Sequence, residues 1–480
     1  MPQPDPGPHT FMRRSMTAIA SVCIIRTMPN LKEQTQAIIE ELNRLQTAPP
    51  PYREDDEDFP LPRLIGTGDG NSILVSRKID VAIAAIADQL RSEIPDITQK
   101  TTREEWRWQV RREFGPALAK IDLAQNLGSN ADSVISMVKN GLRKNVAAYG
   151  EREIIFGCTL FYNKSLPPFQ IGPVCFEPRS AWLNRQHQEG YISSIGCRRL
   201  EKKWSGETIR RRKPSSDSLL ETDILETIGK CPYVCSVRTS GLSAEAGREK
   251  ALTVARLAVT SIALLWRSPT KTLDGMNLLP DRPWHRETIL ISAPNQRILA
   301  SSKLSHMPHG PTLENGQWEH LFAEHKAHFD AAGKILFYLV KPYEDTDQPR
   351  LKNTLAQALL WFHEGCRETV TLMAIVKYSA ALDALACGGG EQGIRRMINA
   401  RLGIHDEMPI CPGGPTLQKA VEEIYKYGRS RTIHGTNKKL GHDWIATRET
   451  AEQFARMCLL ACLDWMASHP KSDDPKLLSL

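Results

Sequence analysis

No stretch of this 480-residue chain reaches the ~20 apolar residues that a membrane-spanning helix needs; the best run, Leu257 to Trp266, stops against Arg267. Metal-site spacing is missing too. Among eleven cysteines the close pairs are Cys231/Cys235 and Cys458/Cys462, and neither has the two-residue gap of a zinc knuckle. The odd cysteine count, without a secretory context, suits a reducing cytoplasm. His363-Glu364 opens like a zinc-protease motif, but Arg367 stands where the second histidine belongs, which excludes a zincin. Gly388 to Gly393 lacks the Gly-Lys-Ser/Thr of a phosphate loop, and Gly66-x-Gly-x-Gly70 lacks the strand–helix setting of a nucleotide site. A nucleotidyltransferase signature of Gly-Ser with paired aspartates is absent as well.

What remains is an ordinary globular composition. Hydrophobic residues make up 41% and charged residues 24%, so a sizeable core is available, and the length suits two or three domains. A net charge of +7 permits an anionic partner such as RNA without requiring one. Arg13 and Arg14 before the apolar run Met16–Ile25 imitate a signal peptide. No small-x-small cleavage site follows, and Val22 before Cys23 argues against a lipoprotein. Met28 opens a better-behaved segment, so the first 27 residues read as an upstream extension.

The organisation predicts a multi-domain α+β chain. Residues 1–52 form an N-terminal extension and a helix over 31–46, with Ile38, Ile39, Leu42 and Leu45 in one stripe, ending in a proline-rich linker at Pro49–Pro51. The acidic run Glu54–Asp58 is solvated linker. Residues 53–345 read as a mixed α/β domain. Helices are expected over 78–91 and most of 103–147, then strands at Ile154–Tyr162, Ile171–Phe176, Tyr233–Arg238 and Thr288–Ile291, with a helix at Ala244–Trp266. The polar segment 343–350 marks a boundary. Residues 350–470 then read as an all-α bundle, with helices over 355–366, 369–386, 391–402, 416–428 and 448–468. The triple glycine 388–390 would end the second of these. Thr450 with Gln453 is read as a capping box for the last, whose buried face would be Phe454, Met457, Cys458, Ala461 and Trp465.

Chemistry concentrates in Val421–Gly435, VEEIYKYGRSRTIHG. Arg429 and His434 are separated by four residues, with Ser430 after the arginine and Gly435 after the histidine. A histidine that titrates near neutrality can remove or deliver the proton in ribose 2′-hydroxyl attack on a phosphodiester, worth roughly 10²–10⁴-fold. A forked, permanently charged guanidinium meets the oxygens of the pentacoordinate transition state. This chemistry needs neither metal nor cofactor. On an unbroken α-helix, five residues' spacing sets the two side chains about 140° apart. Either the helix breaks near Thr432-Ile433 or two protomers assemble the site.

On these residues, the segment from Arg350 to His469 resembles an Apea-like HEPN domain, whose late helix carries Tyr-x-x-Arg-Ser-x-x-x-His-Gly. Tyr425 and Tyr427 lie four and two before the arginine, not three, so the tyrosine's role does not transfer. Leu382-Asp383-Ala384-Leu385 resembles the family helix with an acidic residue in a Leu-x-x-Leu frame, which makes Asp383 a supporting residue. The resemblance implies a metal-independent endoribonuclease in phage defence or stress response, with His434 as general acid or base, Arg429 clamping the phosphate, and Ser430 bonding phosphate or orienting the histidine. It implies a cytoplasmic homodimer regulated by its N-terminal region. It also leaves open a non-catalytic module that holds RNA or a nucleotide, or a toxin paired with a separate antitoxin.

Two further sets of residues are RNA-contact candidates. One flanks the motif: Arg431, Lys438 and Lys439. The other lies in 198–213, where eight basic residues surround Trp204 and include Arg210 and Arg211. Pro214-Ser215-Ser216 behind it favours reading that run instead as a mobile loop. His320, Glu324 and His328 recur at i, i+4, i+8 but drift about 40° per step, which fits a polar helix face better than a metal edge.

Overall fold

The computed structural model describes residues 30–47, 63–94, 96–162, 166–210, 212–281, 286–291, 298–304, 309–341 and 347–480. The N-terminal basic and apolar run, the proline-rich linker with its acidic tract, and Arg211 lie outside the described residues. The chain is mostly helical with small antiparallel sheets, a mixed α+β protein. It divides into two compact units, Met1–Gln89 with Arg111–Lys139, and Leu90–Val110 with Asn140–Leu480.

In the first unit, α1 (Leu31–Thr47) buries Ile38, Ile39 and Leu42, the stripe expected from helical spacing. A hairpin follows, β1 (Arg63–Gly66) paired antiparallel with β2 (Ser72–Val75). Four-residue strands give too short a pattern for alternation to be seen, so the sequence showed only their glycine-bearing turn. Helix α2 (Arg77–Glu93) buries Ile79, Ile83 and Ile86 and places Asp80 2.9 Å from Arg63 and 3.1 Å from Arg111. The short α3 (Ile97–Lys100) belongs to the second unit, and the expected helix over 103–147 is two, α4 (Arg103–Leu118) and α5 (Leu127–Ala147), each divided between the units. Between them the side chain of Asp122 accepts from Ala124 N–H, and that of Asn126 from Gly128 N–H, local bonds that compete with helix.

The second unit is built on a five-stranded antiparallel sheet in the order β4 (Phe169–Ile171), β5 (Val174–Pro178), β6 (Tyr233–Thr239), β3 (Arg152–Thr159), β7 (Asn277–Leu278). Both faces are covered, which is why these strands read as continuous apolar runs rather than alternations. Tyr233, Cys235 and Val237 enter a large core, while Val234 faces a smaller one with Trp182, Leu183, Leu200 and Ile228 from α6 (Arg179–Gln188), α7 (Ser194–Trp204) and α8 (Ser216–Ile228). Against the larger core lies α9 (Ala244–Ala263), buried almost all round from Val254 to Leu264. The short α10 (Pro269–Gly275) follows it, and β8 (Arg286–Ile291) pairs with β9 (Ile298–Leu304) as a separate hairpin.

The remaining helices are α11 (Gln317–Glu324), α12 (Lys326–Val340), α13 (Pro349–Arg367), α14 (Thr371–Leu385), α15 (Gly390–Leu402), α16 (Leu417–Glu422), a π-helical segment Glu423–Ser430, α17 (Arg431–Ile433) and α18 (Ile445–Ser468). They share the large core with the sheet, so residues on both sides of the polar segment 343–350 pack together. No single described helix is long and apolar enough to cross a membrane.

Several expectations are corrected. The basic run after Arg198 is not loop at its start but the helix α7, and Ser215 forms a capping box with Ser218 at the head of α8. The triad His320, Glu324, His328 is split by a break at His325; His320 and Glu324 are exposed, but His328 is buried and its Nε2 bonds to Ser261 O at 3.0 Å. Helix α18 starts at Ile445, whose N–H donates to Asp443 Oδ1, so Thr450 is interior and its hydroxyl donates back to Ala446 O. The buried face of α18 runs through Ala451, Phe454, Ala455, Cys458, Leu459 and Cys462, and Met457 is exposed.

Candidate functional site

The helix that carries Arg429 is anchored by Leu417, Ala420, Val421 and Ile424, buried at positions i, i+3, i+4 and i+7. At Gly428 it runs close enough to α14 that a Cβ there would lie 2.6 Å from the Ile375 side chain. Through this contact the backbone takes the wider π register, ending with Arg431 N–H bonded to Lys426 O. Such turns recur at functional positions.

The helix ends where the motif ends. His434 caps it at φ −85°, and Gly435 follows in the left-handed region at φ 68°. Gly435 N–H donates to Thr432 O and Thr436 N–H to Arg431 O, the paired bonds of a glycine-terminated helix. The glycine after the histidine is thus explained by backbone sterics, since a side chain there costs free energy.

Arg429 is mostly buried. Its Nη1 lies 3.1 Å from Asp383 Oδ2, and its guanidinium sits 5.0 Å from the Tyr425 ring centroid. Its Nε is buried without a hydrogen-bond partner. Asp383 is held in turn: its Oδ1 accepts from Gly390 N–H at 3.0 Å and its carbonyl from Gly388 N–H at 2.8 Å. The glycine-rich turn 388–390 therefore orients the carboxylate that orients the arginine. The left-handed residue that ends α14 is Cys387, at φ 53°, and not the first glycine as the sequence implied.

The structure brings Arg429 and Asp383 together; it does not bring His434 to them within one chain. His434 is exposed, and among the described residues its ring makes no hydrogen bond or ion pair. Ser430 is partly buried and accepts His434 N–H through its carbonyl at 3.0 Å; its hydroxyl has no bond among the described residues. Arg431 stacks over Tyr427 at 4.4 Å, with Lys439 Nζ 5.4 Å from the same ring, and Lys438 is exposed beside it. Asn437 fastens this loop by donating to Tyr427 O and Thr432 Oγ1. Tyr425 and Tyr427, which sequence spacing set aside, are the rings beneath the two arginines. Their i, i+4 offset from Arg429 and Arg431 was the signal available in the sequence.

Elsewhere, Trp204 is not an open stacking platform. Its Nε1 donates to Gly229 O at 2.9 Å and the Arg179 guanidinium lies over its ring at 4.4 Å. Arg199 and Arg212 are paired with Glu221 at 3.0 Å, which leaves Arg210 as an exposed cation of that run. His363, the zinc-protease lookalike, is buried with Nδ1 2.8 Å from Thr260 Oγ1. Burial and the nearby cations of Arg367, Arg256 and Lys377 push its pKa down to about 3, so it is a neutral core group. Arg367 donates to the carbonyls of Leu273 and Met276 and to the Asn277 side chain. No group of three or more potential metal ligands occurs among the described residues.

Comparison with protein-family models, curated proteins and solved structures finds no match for this chain.

Proposed function

We propose that the C-terminal helical region is an endoribonuclease of the HEPN kind, with Arg429 and His434 as its working pair. One observation carries the reading: Arg429 is fixed by Asp383 and Tyr425 about one turn before the C-terminal end of its helix, and that same end presents His434 to solvent with no partner among the described residues. In the reaction, the ribose 2′-oxygen attacks phosphorus and the bond to the 5′-oxygen breaks. One imidazole accepts the 2′-hydroxyl proton, another delivers a proton to the leaving oxygen, and the products are a 2′,3′-cyclic phosphate and a 5′-hydroxyl. Two imidazoles and one phosphate fit a homodimer in which facing helix ends share a substrate. Arg429 offers the phosphate its guanidinium edge not taken by Asp383. Arg431, Lys438 and Lys439 lie where they attract the RNA backbone, with a salt dependence that follows.

A non-catalytic reading has one observation in its favour: Arg429 is already neutralised by Asp383, as a structural ion pair would be. The test incubates wild type, Arg429→Ala and His434→Ala with mixed cellular RNA in EDTA. Cuts ending in 2′,3′-cyclic phosphate, lost in both variants, support the nuclease. Equal RNA binding by all three with no cutting leaves only the binding module.

A further inference from the structure

A cleft of about 370 Å³ opens beside the sheet, within the range of small-ligand sites. Its walls include Pro178, Leu183 and Pro232 as apolar surface, Trp204 as an aromatic edge, and Arg179 and Lys230 as cations. Arg179 is half-buried, and its Nη1 donates to Cys231 O at 3.1 Å. Among the described residues no carboxylate lies within ion-pairing distance of it or of Lys230. Burial pulls the Arg179 pKa down, the mark of a cation held without a counter-ion. Helix α6 begins at this residue with no side-chain cap, so its positive end adds to the same field.

Another cleft, of about 580 Å³, also has one positive charge in excess, Arg267, Lys271 and Arg448 against Glu449 and Glu452, but no aromatic side chain lines it. In the smaller cleft Glu201 is the one carboxylate of the wall, against two cations.

We infer that the cleft beside Arg179 binds a mononucleotide: its phosphate on Arg179 and Lys230, a ribose hydroxyl on Glu201, and its base against the edge of Trp204, whose face Arg179 covers, and the apolar wall. Each part of the wall meets a different part of that ligand class. A bare phosphate leaves the aromatic and apolar surface unused, and a neutral base leaves the guanidinium uncompensated. The inference stands apart from the nuclease reading, because none of these residues belongs to the Arg429 helix.

The test titrates the full-length protein calorimetrically with AMP, with inorganic phosphate and with a short single-stranded oligoadenylate. AMP is expected to bind and phosphate to bind more weakly. Lys230→Glu, an exposed position that leaves the fold intact, should weaken AMP binding about 10–100-fold, the scale of a lost charge-assisted hydrogen bond. Arg179→Gln should do the same or more, and Lys271→Glu in the cleft without an aromatic wall should change nothing. Absence of AMP binding overturns the inference. So does phosphate binding as tightly as AMP, oligoadenylate binding where AMP does not, or a Lys230→Glu protein that binds AMP like wild type.

Discussion

Of the arginines that rest on aromatic rings, Arg429 over Tyr425 and Arg179 over Trp204 have surroundings that differ in one respect. Arg429 has a carboxylate at 3.1 Å; Arg179 has a backbone carbonyl and, among the described residues, no carboxylate. The first arrangement fixes direction. Asp383 is itself held by the turn 388–390, so the guanidinium points where the fold dictates. The second arrangement leaves charge unsatisfied, which an anion can then satisfy. Two histidines extend the contrast: His434 is exposed and has no partner among the described residues, while His363 is buried and stays neutral.

The largest effect is expected at His434. Replacement by alanine should reduce RNA cleavage by roughly 10²–10⁴-fold, the range for loss of a general acid–base group. Because the ring makes no bond among the described residues, thermal stability should stay at the wild-type value. A His434→Ala protein that melts early and cuts normally would reverse the roles given to the two histidines.

His363 should govern acid stability instead. Its folded pKa lies below the unfolded value, so between pH 6.5 and about 3 the unfolded chain binds a proton that the folded chain does not. Stability attributable to it is therefore complete above pH 6.5 and falls as pH drops through that window, by about 1.4 kcal/mol per pH unit. His363→Gln, which can still bond Thr260, should flatten this slope in denaturant titrations at several pH values. An unchanged slope would mean that His363 is accessible to protons.

Asp383 tests the pairing directly. Asp383→Asn keeps an oxygen for Gly390 N–H but loses the charge beside Arg429. Both side chains are partly exposed, 23% and 15%, so the stability loss should be modest, about 1 kcal/mol. A positioning role predicts a fall in kcat with little change in KM, because RNA still meets the cations of the loop. A purely structural role predicts a stability loss with kcat unchanged.

How much of this was legible beforehand follows from what each signal measures. Helices with one buried stripe, such as α1 and α2, were visible because spacing records a single covered face. Met457 on α18 was misplaced because that helix is covered over a broad arc, where apolar spacing no longer singles out a face. The strands β3 and β6 were visible as apolar runs, while β1, β2 and β7 were too short to make a pattern. At the site, Arg429, Ser430 and His434 stood out by local spacing. The link from Asp383 to Arg429 rested on resemblance alone, since 45 intervening positions separate them in sequence and only packing of α14 against the π segment joins them. The Arg179–Trp204 stack gave no sequence signal, because the partners lie on α6 and in the last turn of α7 and meet through tertiary packing.

The smallest effect is expected at Cys387, in the turn that holds Asp383. A non-glycine residue in the left-handed region costs about 1–2 kcal/mol relative to its ordinary conformations. Cys387 occupies that region at φ 53°, with its N–H bonded to Ala384 O. The side chain is exposed, so Cys387→Gly removes the steric cost and sacrifices little packing. Glycine's greater freedom in the unfolded chain offsets part of the gain. The net expectation is a stabilisation of about 0.5–1 kcal/mol in denaturant unfolding, with cleavage unaffected because Gly388 and Gly390 still bond to Asp383. Destabilisation would show that the thiol makes a contact worth more than the strain it imposes.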